Sequence, residues 1–478
     1  MDQREILSLK AVQDTLYKLL RLHGYRIVDT PLLEHIDLFL RKSGGQLATR
    51  LYTFTNPGGH RVSLRPEFTS SIIRQYLQAK DTEPLPLRRQ YAGPVFRFQS
   101  VEEGGQRQFT QVGAELIGAS EAWADVEVLS IACHGLSAFG LSHHRIIMGH
   151  IGILEELLDQ FNLSKRAKLF LIGNVSSLKN GPGGEKEVRR RGEELGLFRN
   201  QTDERSEEPL YSIGEESAQK IVQSLLKEVV ATPLGSRTPD EILSRFLHKI
   251  QGSDAPAQVE KALRFLRQLA NVEGDPYVAL AMAKDLARDY KLNQACFNGL
   301  EDILTALAHH SLKDTDFSID FGLVRDIAYY TGLVFEILPP KSYGQASLGG
   351  GGRYDSLIKA LGSTEDVPAL GFAYHLERVL EVVESKEKRT PLSEQKIHQV
   401  LLVAADYNAY KAAISLAQKL RNGGTVVHLE TSSRNLEESL AYAAHNHLDK
   451  VIVVNTRGQS HEYAAEVGAK DVTYSPSQ

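Results

Sequence analysis

The chain has 478 residues, of which 24% are charged and 42% hydrophobic, so it has the composition of a globular protein of two to four domains. Its net charge of −5 excludes the broad electrostatic footprint of a strongly basic nucleic-acid-binding protein. Cys133 and Cys296 lie far apart, which excludes a CxxC metal site and predicts a reducing, cytoplasmic location. No apolar run is long enough to span a bilayer, and the charged, amphipathic N-terminus does not resemble a signal peptide.

The first four-fifths of the chain predicts two kinds of structure. Residues 4–23 place apolar side chains at a helical period. Further along, the pattern predicts strands at 62–64, 95–98, 110–117 and 145–148, and a helix at 122–139. From about 160 to 316 the pattern is helical and charged, and strands resume at Phe317. We therefore predict a helical domain at 160–316, inserted into a core formed by residues 1–159 and 317–384.

The last part of the chain predicts a separate small domain. A polar linker at 385–396 precedes it. Within 397–478, the short apolar runs QVLLVAAD and KVIVVN alternate with helical patterns at 409–421 and 435–447. Buried strands that alternate with helices are typical of a largely parallel α/β sheet.

The stretch from Pro94 to Gly118, PVFRFQSVEEGGQRQFTQVGAELIG, predicts an antiparallel hairpin. In its second strand, Gln111 and Glu115 lie four residues apart and therefore point to the same face. A neighbouring amide and carboxylate suit a small ligand with an ammonium or imidazole group. Gly113, between them, indicates that some group approaches the strand closely there. The alternative is two polar residues on a solvated strand face.

This hairpin resembles motif 2 of class II aminoacyl-tRNA synthetases, in the group of histidyl-tRNA synthetase and its non-catalytic paralogue, the regulatory subunit of ATP phosphoribosyltransferase. Four further segments resemble family motifs in the same order, which makes the likeness specific over residues 1 to about 385. They are GYRIVDTPLLEHIDLF from Gly24, LRPEFTSSIIR from Leu64, LVRDIAYYTGLVFEI from Leu323, and GGGGRYDSLIKALG with ALGFAYHLERVL from Gly349 to Leu380. The implied fold is α/β with an α+β core: an antiparallel sheet with flanking helices, a helical insertion, and an α/β domain like an anticodon-binding domain.

The resemblance implies a pocket for histidine. Glu67 would pair with the α-ammonium group, although a helix N-terminal carboxylate is the plainer interpretation of that residue alone. Gln111 and Glu115 would hold the ligand, and Tyr329 and Tyr330 would close the pocket around its imidazole. The plainer interpretation of the two tyrosines is aromatic packing.

Three arginines bear on whether the protein is an enzyme. In the synthetases, arginines at the positions of Arg97, Arg325 and Arg378 contact ATP phosphates or the carboxylate that is adenylated. The planar guanidinium suits paired oxygens. Each of the three could instead form a structural ion pair or bind another anion. The glycines of GGGG, from Gly349, lack the spacing of a phosphate loop and predict a strand that allows close approach.

Several departures favour the non-catalytic paralogue. The synthetase turn resembles RHERPQKGRYRQF, whereas this chain has RFQSVEEGGQRQF, with carboxylates at Glu102 and Glu103 that would repel a triphosphate. Ala328 replaces the acid of the synthetase-like RGLDYYTG segment. The family's N-terminal G-x-R-D turn is missing, and the insertion is longer than usual. Residues 395–478 contain eight basic and eight acidic residues, so they carry no basic surface for RNA.

These observations lead us to expect a regulatory subunit of ATP phosphoribosyltransferase that binds histidine and has no catalytic residues, cofactor or metal. It would be required for the activity and feedback control of a separate catalytic subunit at the first step of histidine biosynthesis. The alternative is a divergent histidyl-tRNA synthetase that uses ATP and Mg²⁺ and charges tRNA. A third possibility is a histidine- or tRNA-sensing paralogue with another partner. We also expect a homodimer, formed through the turn at Pro31, within a larger hetero-oligomer, and weak or no tRNA binding.

Overall fold

A computed structural model describes most of the chain. The described residues are 3–41, 44–79, 83–98, 107–179, 181–197, 254, 256–325, 329–384 and 398–465. The turn at 99–106 with its two carboxylates, the segment 326–328 that includes Ala328, and the linker at 385–396 lie outside them.

Sixteen strands are present in these ranges. They are β1 Arg26–Ile27, β2 Leu33–His35, β3 Thr53–Thr55, β4 Arg61–Leu64, β5 Leu87–Phe96, β6 Gln108–Ile117, β7 His144–His150, β8 Glu273–Gly274, β9 Thr315–Asp320, β10 Leu333–Leu338, β11 Gly349–Arg353, β12 Ala369–His375, β13 Gln399–Ala404, β14 Val426–Leu429, β15 Lys450–Val454 and β16 Ser460–Ala464.

The same ranges contain sixteen α-helices. They are α1 Gln3–Leu22, α2 Ile36–Leu40, α3 Gly44–Thr49, α4 Thr69–Ala79, α5 Ala122–Ser137, α6 Ile151–Asp159, α7 Lys165–Gly173, α8 Val175–Leu178, α9 Gly181–Glu194, α10 Pro256–Ala270, α11 Pro276–Asp289, α12 Asn298–Leu307, α13 Leu357–Ala360, α14 Leu376–Glu384, α15 Tyr410–Asn422 and α16 Leu436–His445.

The centre of the fold is a mixed, mainly antiparallel sheet in the order β1-β5-β6-β12-β11-β10-β7-β9-β8. The pairs β1–β5 and β7–β9 are parallel, and the pairs from β5 through to β7 are antiparallel. Helices α1 and α14 contact β6, and α5 contacts β12. The predicted α/β fold with an antiparallel core sheet is therefore confirmed.

The hairpin of β5 and β6 extends further than the sequence pattern predicts. Its strands pair from Leu87 with Ile117 to Phe96 with Gln108. On β6, Val112, Ala114 and Leu116 are fully buried on one face, so Gln111 and Glu115 point to the other. On its far side β6 pairs with β12, where Gly371 lies opposite Glu115. The glycine-rich run from Gly349 forms the strand β11, as predicted.

The C-terminal sheet has the order β14-β13-β15-β16. Strands β13, β14 and β15 are parallel, and β16 is antiparallel to β15. Val400, Leu402, Val427 and Ile452 form one core of this domain with α15. A second small sheet, β2-β4-β3, is antiparallel and precedes α4.

By internal contacts the chain divides into two compact units. The first comprises residues 1–152, 274–280 and 297–478, and the second comprises residues 153–273 and 281–296. Within the second unit, Phe161 packs against Phe265 with ring centroids 5.5 Å apart, and an ion pair of 2.9 Å joins Arg189 to Glu260. The predicted boundaries of the insertion at 160 and 316 stay a prediction.

Candidate functional site

A cavity of about 280 Å³ opens on the face of the central sheet formed by β6, β12 and β11. Every residue proposed from the sequence as a ligand or catalytic contact lines it: Glu67, Arg97, Gln111, Glu115, Arg325, Tyr329, Tyr330 and Arg378. These side chains come from segments spread over more than 300 residues. The cavity also has lining residues that sequence reasoning did not single out, among them Arg50, Thr69, Tyr91, Phe109, Tyr354 and His375.

Glu115 lies at the floor of the cavity and is 1% exposed. Its carboxyl accepts hydrogen bonds from the hydroxyls of Thr69 at 2.7 Å and Tyr91 at 3.1 Å, and also from the hydroxyl of Tyr354. Gly371, opposite it on β12, leaves room for this carboxyl, because a Cβ at Gly371 would lie 1.8 Å from Glu115 Oε2. The carboxyl is therefore held rigidly by neutral donors.

These surroundings affect the protonation of Glu115. Burial raises the pKa of its carboxyl from 4.5 to about 8, and the nearby Glu67 raises it further, against the opposing effect of the three hydroxyl donors. At neutral pH the carboxyl therefore carries a proton for much of the time. A bound imidazolium or ammonium group would favour the ionised form, because an opposite charge at close range stabilises it.

Gly113 has a different role from the one predicted for it. A Cβ at Gly113 would lie 2.4 Å from the carbonyl oxygen of Phe372 and 2.6 Å from the Tyr91 hydroxyl. The close approach that we expected at this glycine is therefore made by neighbouring strands and by Tyr91. Tyr91 lies opposite Gly113 in the β5–β6 hairpin. A prediction of the strand register of this hairpin would therefore have placed Tyr91 at the site.

Glu67 follows β4 and precedes the first turn of α4. It accepts a hydrogen bond from the backbone N–H of Ser70, with distances of 3.1 and 3.2 Å to its two oxygens, and it also lines the cavity. Burial raises the pKa of its carboxyl, and Arg97 is among the groups that lower it. The Glu67 carboxylate can therefore cap the N-terminus of α4 and also contact a ligand in the cavity, so the two interpretations of this residue are compatible.

The tyrosines form an aromatic cluster over Glu115. The ring of Tyr329 lies 5.0 Å from that of Tyr330 and 5.4 Å from that of Tyr354, in tilted and edge-to-face arrangements. Burial raises the pKa of all three phenols, so they remain neutral hydrogen-bonding groups at physiological pH. The sequence signal at Tyr354 is weak, because this residue follows a glycine-rich run that predicts only a strand.

The three arginines are anchored to backbone carbonyls. Arg97 Nε donates to Pro66 O at 2.9 Å, Arg325 Nη1 to Phe335 O at 2.9 Å, and Arg378 Nη1 to Ser347 O at 2.9 Å. A Cβ at Gly350 would lie 1.7 Å from Arg325 Nη1, so this glycine makes room for the arginine. With these anchors the guanidinium groups are pre-positioned beside the cavity.

A stacked pair of rings completes the lining. The imidazole of His375, at the end of β12, lies 4.2 Å from the ring of Phe109 at an interplanar angle of 3°. The guanidinium of Arg97 lies over the same phenyl ring at 5.3 Å. The site therefore combines buried carboxyls, neutral phenols, anchored arginines and stacked aromatic rings. This combination suits a small ligand with an ammonium or imidazole group next to an anionic one.

In the residues that the structure describes, no cluster of three or more His, Cys, Asp or Glu side chains is arranged to hold a metal ion. Over the same residues, no helix is both long and apolar enough to cross a membrane.

Comparison with known proteins identifies one family along most of the chain. The sequence profile described as Histidyl-tRNA synthetase matches residues 1–179 and 217–379. The histidine–tRNA ligase of Methanocaldococcus jannaschii is 30% identical over 98% of this chain and 92% of its own length. The histidine–tRNA ligase of Pyrococcus furiosus is 30% identical over 91% of this chain and 84% of its own.

Solved structures share the fold. An ATP phosphoribosyltransferase regulatory subunit/histidyl-tRNA synthetase from Bacillus halodurans aligns with a TM-score of 0.53 at 21% identity, over 94% of both chains. Histidyl-tRNA synthetase from Nostoc sp. PCC 7120 aligns with a TM-score of 0.52 at 19% identity, over 96% of this chain and 94% of its own. At these identities the likeness shows the class II synthetase-like fold.

The prediction of a non-catalytic regulatory subunit of ATP phosphoribosyltransferase is wrong. Curated relatives that match 91–98% of the chain at 26–30% identity are named histidine–tRNA ligases. The prediction relied on departures from the synthetase motifs, among them the turn at 99–106, which lies outside the described residues, and on the balanced charge of residues 395–478. The roles of the individual site residues, the dimer and weak tRNA binding stay predictions.

Proposed function

Because this chain belongs to the histidyl-tRNA synthetase family, we propose that it is a histidine–tRNA ligase that activates histidine with ATP and transfers the histidyl group to tRNA. One observation carries the proposal: two buried carboxyls and a tyrosine cluster share a single cavity with three arginines. An amino acid and an anionic co-substrate could therefore meet there.

The carboxyl and tyrosine groups fit histidine. Glu67 would accept the α-ammonium group, because it is a buried carboxylate at the cavity wall. Glu115 would accept an N–H from the imidazole ring, with Tyr329 and Tyr330 against the ring faces and edges. Gln111, on the same face of β6, offers an amide for the remaining polar atoms.

The arginines fit the activation step. An oxygen of the histidine carboxylate would attack the α-phosphorus of ATP, and the bond to the pyrophosphate oxygen would break, giving histidyl-adenylate and pyrophosphate. Arg97, Arg325 and Arg378 would neutralise the carboxylate and phosphate oxygens during this step, since anchored guanidinium groups stabilise developing negative charge. Mg²⁺ would accompany the triphosphate as part of the substrate.

The second step needs tRNA. A ribose hydroxyl of tRNA would attack the activated carbonyl and lose its proton, and AMP would leave. Because residues 395–478 carry balanced charge, we propose that tRNA binds with low affinity and that transfer needs a high tRNA concentration.

We also propose self-association through the segment that follows Pro31. Leu32, Leu33 and Leu40 are exposed apolar side chains in this segment, which supports an interface there. Light scattering coupled to gel filtration tests this proposal. A monomer at micromolar concentration would contradict it.

Histidine-dependent exchange of pyrophosphate into ATP tests the first step, and attachment of radiolabelled histidine to tRNA tests the second. We expect both activities to saturate with histidine and to be absent with other amino acids. Glu115→Gln should lower the exchange rate at low histidine concentration more than at saturation. If wild-type protein binds histidine but catalyses no exchange, the ligase proposal fails.

A further inference from the structure

The C-terminal domain packs against the core at a contact that we call the junction, which joins β14 and α15 to α1 and α5. Both sides of it belong to the first compact unit. Within it, His428 on β14 is 4% exposed and packs against Gly24, where an added Cβ would lie 2.4 Å from Cε1 of the ring. Neither ring nitrogen of His428 has a hydrogen-bonding partner among the described residues. A proton on this ring would therefore be a buried charge with unpaired N–H groups, which is unfavourable.

The charged groups around His428 also oppose a proton on its ring. Arg88 on β5, Arg26 on β1 and Arg421 on α15 all repel a positive imidazole. The Glu127 carboxylate on α5 offsets this repulsion only in part, because both of its oxygens already accept from Arg88 at 2.8 Å. Burial, followed by the charges of the three arginines, lowers the pKa of His428 well below its usual value of 6.5. The ring is therefore neutral while the domain is docked.

Histidines of the core face the same junction. His23, which follows α1, and His134 on α5 have ring centroids 6.3 Å apart. Burial, followed by the charge of Arg421, lowers the pKa of His23 well below its usual value and that of His134 to about 4. Burial also lowers the pKa of His310, beyond α12, to about 3, with smaller effects of His134 and Arg421. Because Arg421 belongs to the C-terminal domain, docking of this domain helps to keep the core histidines neutral.

The junction is also imperfectly matched in its polar groups. Among the described residues, Arg88 Nη1, Arg421 Nε and the Tyr410 hydroxyl are buried atoms without a hydrogen-bonding partner. A buried polar group without a partner costs free energy that hydration would return on separation. Part of the free energy gained by packing is therefore offset, so a moderate gain for the separated state is enough to open the junction.

We propose that the junction is a proton-operated latch: it is closed while His428 and the core histidines beside it are neutral, and their protonation releases the C-terminal domain from the core. The inference goes beyond the proposed function and does not rest on it, since no step of it uses histidine activation or tRNA.

The direction of the pH dependence follows from the two states. After separation the rings meet water, where the pKa of a histidine is about 6.5. The separated state therefore takes up protons below about pH 6.5, whereas the docked state does not, so docking is strongest above this pH and weakens as the pH falls. Each histidine that is protonated only after separation lowers the docking equilibrium constant about tenfold for each pH unit below about 6.

The chain carries its own reporter for this movement. Trp123, the only tryptophan in the sequence, lies on α5 of the core. The centroid of its ring is 3.9 Å from that of Tyr410 and 5.2 Å from that of Tyr407, both in the C-terminal domain. Separation of the domain would expose the indole to water on this side.

The fluorescence of Trp123 in the full chain, followed from pH 8 to pH 4.5, tests the latch. We expect the emission to shift to longer wavelength below about pH 6.5 and to return on neutralisation, while the far-UV circular dichroism stays unchanged. His428→Leu, which cannot take up a proton, should shift at a lower pH than the wild type. His398→Leu is the matched control and should shift at the wild-type pH, because His398 is a histidine of the same domain whose side chain is 70% exposed.

Three results would overturn the latch: no shift of the wild-type emission above pH 4.5, a shift that coincides with loss of the circular dichroism signal, or equal midpoints in the wild type and His428→Leu. His428→Gln, which is neutral at every pH, gives the same comparison if the leucine variant does not fold. Small-angle X-ray scattering at pH 7.5 and pH 5 is an independent check. The radius of gyration of the wild type should increase at pH 5, and equal radii at the two pH values would contradict release of the domain.

Discussion

Arg88 and Glu127 form a two-point ion pair in the interior of the first unit. Arg88 Nε and Nη2 each donate to one Glu127 oxygen at 2.8 Å, and both side chains are 2% exposed. Arg88 Nη2 also donates to the carbonyl oxygen of Leu429 at 2.8 Å, on strand β14 of the C-terminal sheet. One guanidinium therefore joins β5 and α5 of the core to the C-terminal domain.

Arg88→Met should destabilise the protein by roughly 3–5 kcal/mol, because it leaves the Glu127 carboxylate buried without its cation. Urea unfolding, followed by circular dichroism, measures the loss. The double variant Arg88→Met with Glu127→Leu should recover part of it, since an apolar pair leaves no buried charge. A double variant less stable than the single one would show that the pair is not the source of the loss.

Glu115 should make the stability of the protein depend on pH. Its folded pKa of about 8 lies above the unfolded value of 4.5, so the folded state holds a proton that the unfolded state releases between these values. The stabilisation is complete below pH 4.5 and is lost as the pH rises through 8. Glu115→Gln cannot titrate. The free energy of unfolding of the wild type, relative to this variant, should therefore fall by roughly 4 kcal/mol between pH 5 and pH 8.5. A difference that is constant or rises with pH would show that Glu115 is ionised throughout.

Gly371→Ala should weaken histidine binding. The added Cβ would lie 1.8 Å from Glu115 Oε2 and 2.5 Å from the Ala114 carbonyl oxygen, so the carboxyl has to leave its position. We expect histidine affinity to fall by more than about tenfold, which corresponds to 1.4 kcal/mol. Gly183→Ala is the matched control, since no atom lies within 4 Å of its added Cβ. Normal affinity in the Gly371 variant would place the histidine site elsewhere.

Arg97→Lys tests whether the guanidinium fork matters as well as the charge. Lysine keeps the positive charge but loses the bond from Nε to Pro66 O and the paired donors toward phosphate. Pyrophosphate exchange should slow by about 10²-fold, in the range observed when one transition-state donor is removed. Histidine affinity should change far less. Arg61→Lys, at the exposed first residue of strand β4, is the control and should exchange at the wild-type rate.

The sequence predicted the part of the site that lies within single strands and helices. Alternation along β6 placed Gln111 and Glu115 on one face without knowledge of any other strand. Tyr354 donates to Glu115 from 239 residues further along the chain. Alternation shows which way a side chain points but not which remote strand lies beside it, so this contact could not be predicted from the residues alone.

The association of the C-terminal domain with the core could not be predicted from the sequence either. Two of its hydrogen bonds use the carbonyl oxygens of Leu429 and Pro86, which accept from Arg88 and Tyr442 respectively. Every residue has a carbonyl, so no residue type marks such a contact. The functional conclusion failed because it weighed departures from the family's motifs more heavily than the retained residues that line the cavity.

The pairing of β6 with β12 has a consequence for the synthesis of the protein. Glu115 emerges from the ribosome long before Gly371, its partner across the sheet, with about 250 residues translated in between. At 5–20 residues per second this interval lasts roughly ten to fifty seconds. During it the inner edge of the hairpin has no neighbouring strand, and unpaired edges promote aggregation. The residues of the second unit are all synthesised before β12, so this unit can fold while the central sheet is still incomplete. We expect chaperones to bind the nascent chain mainly during this interval.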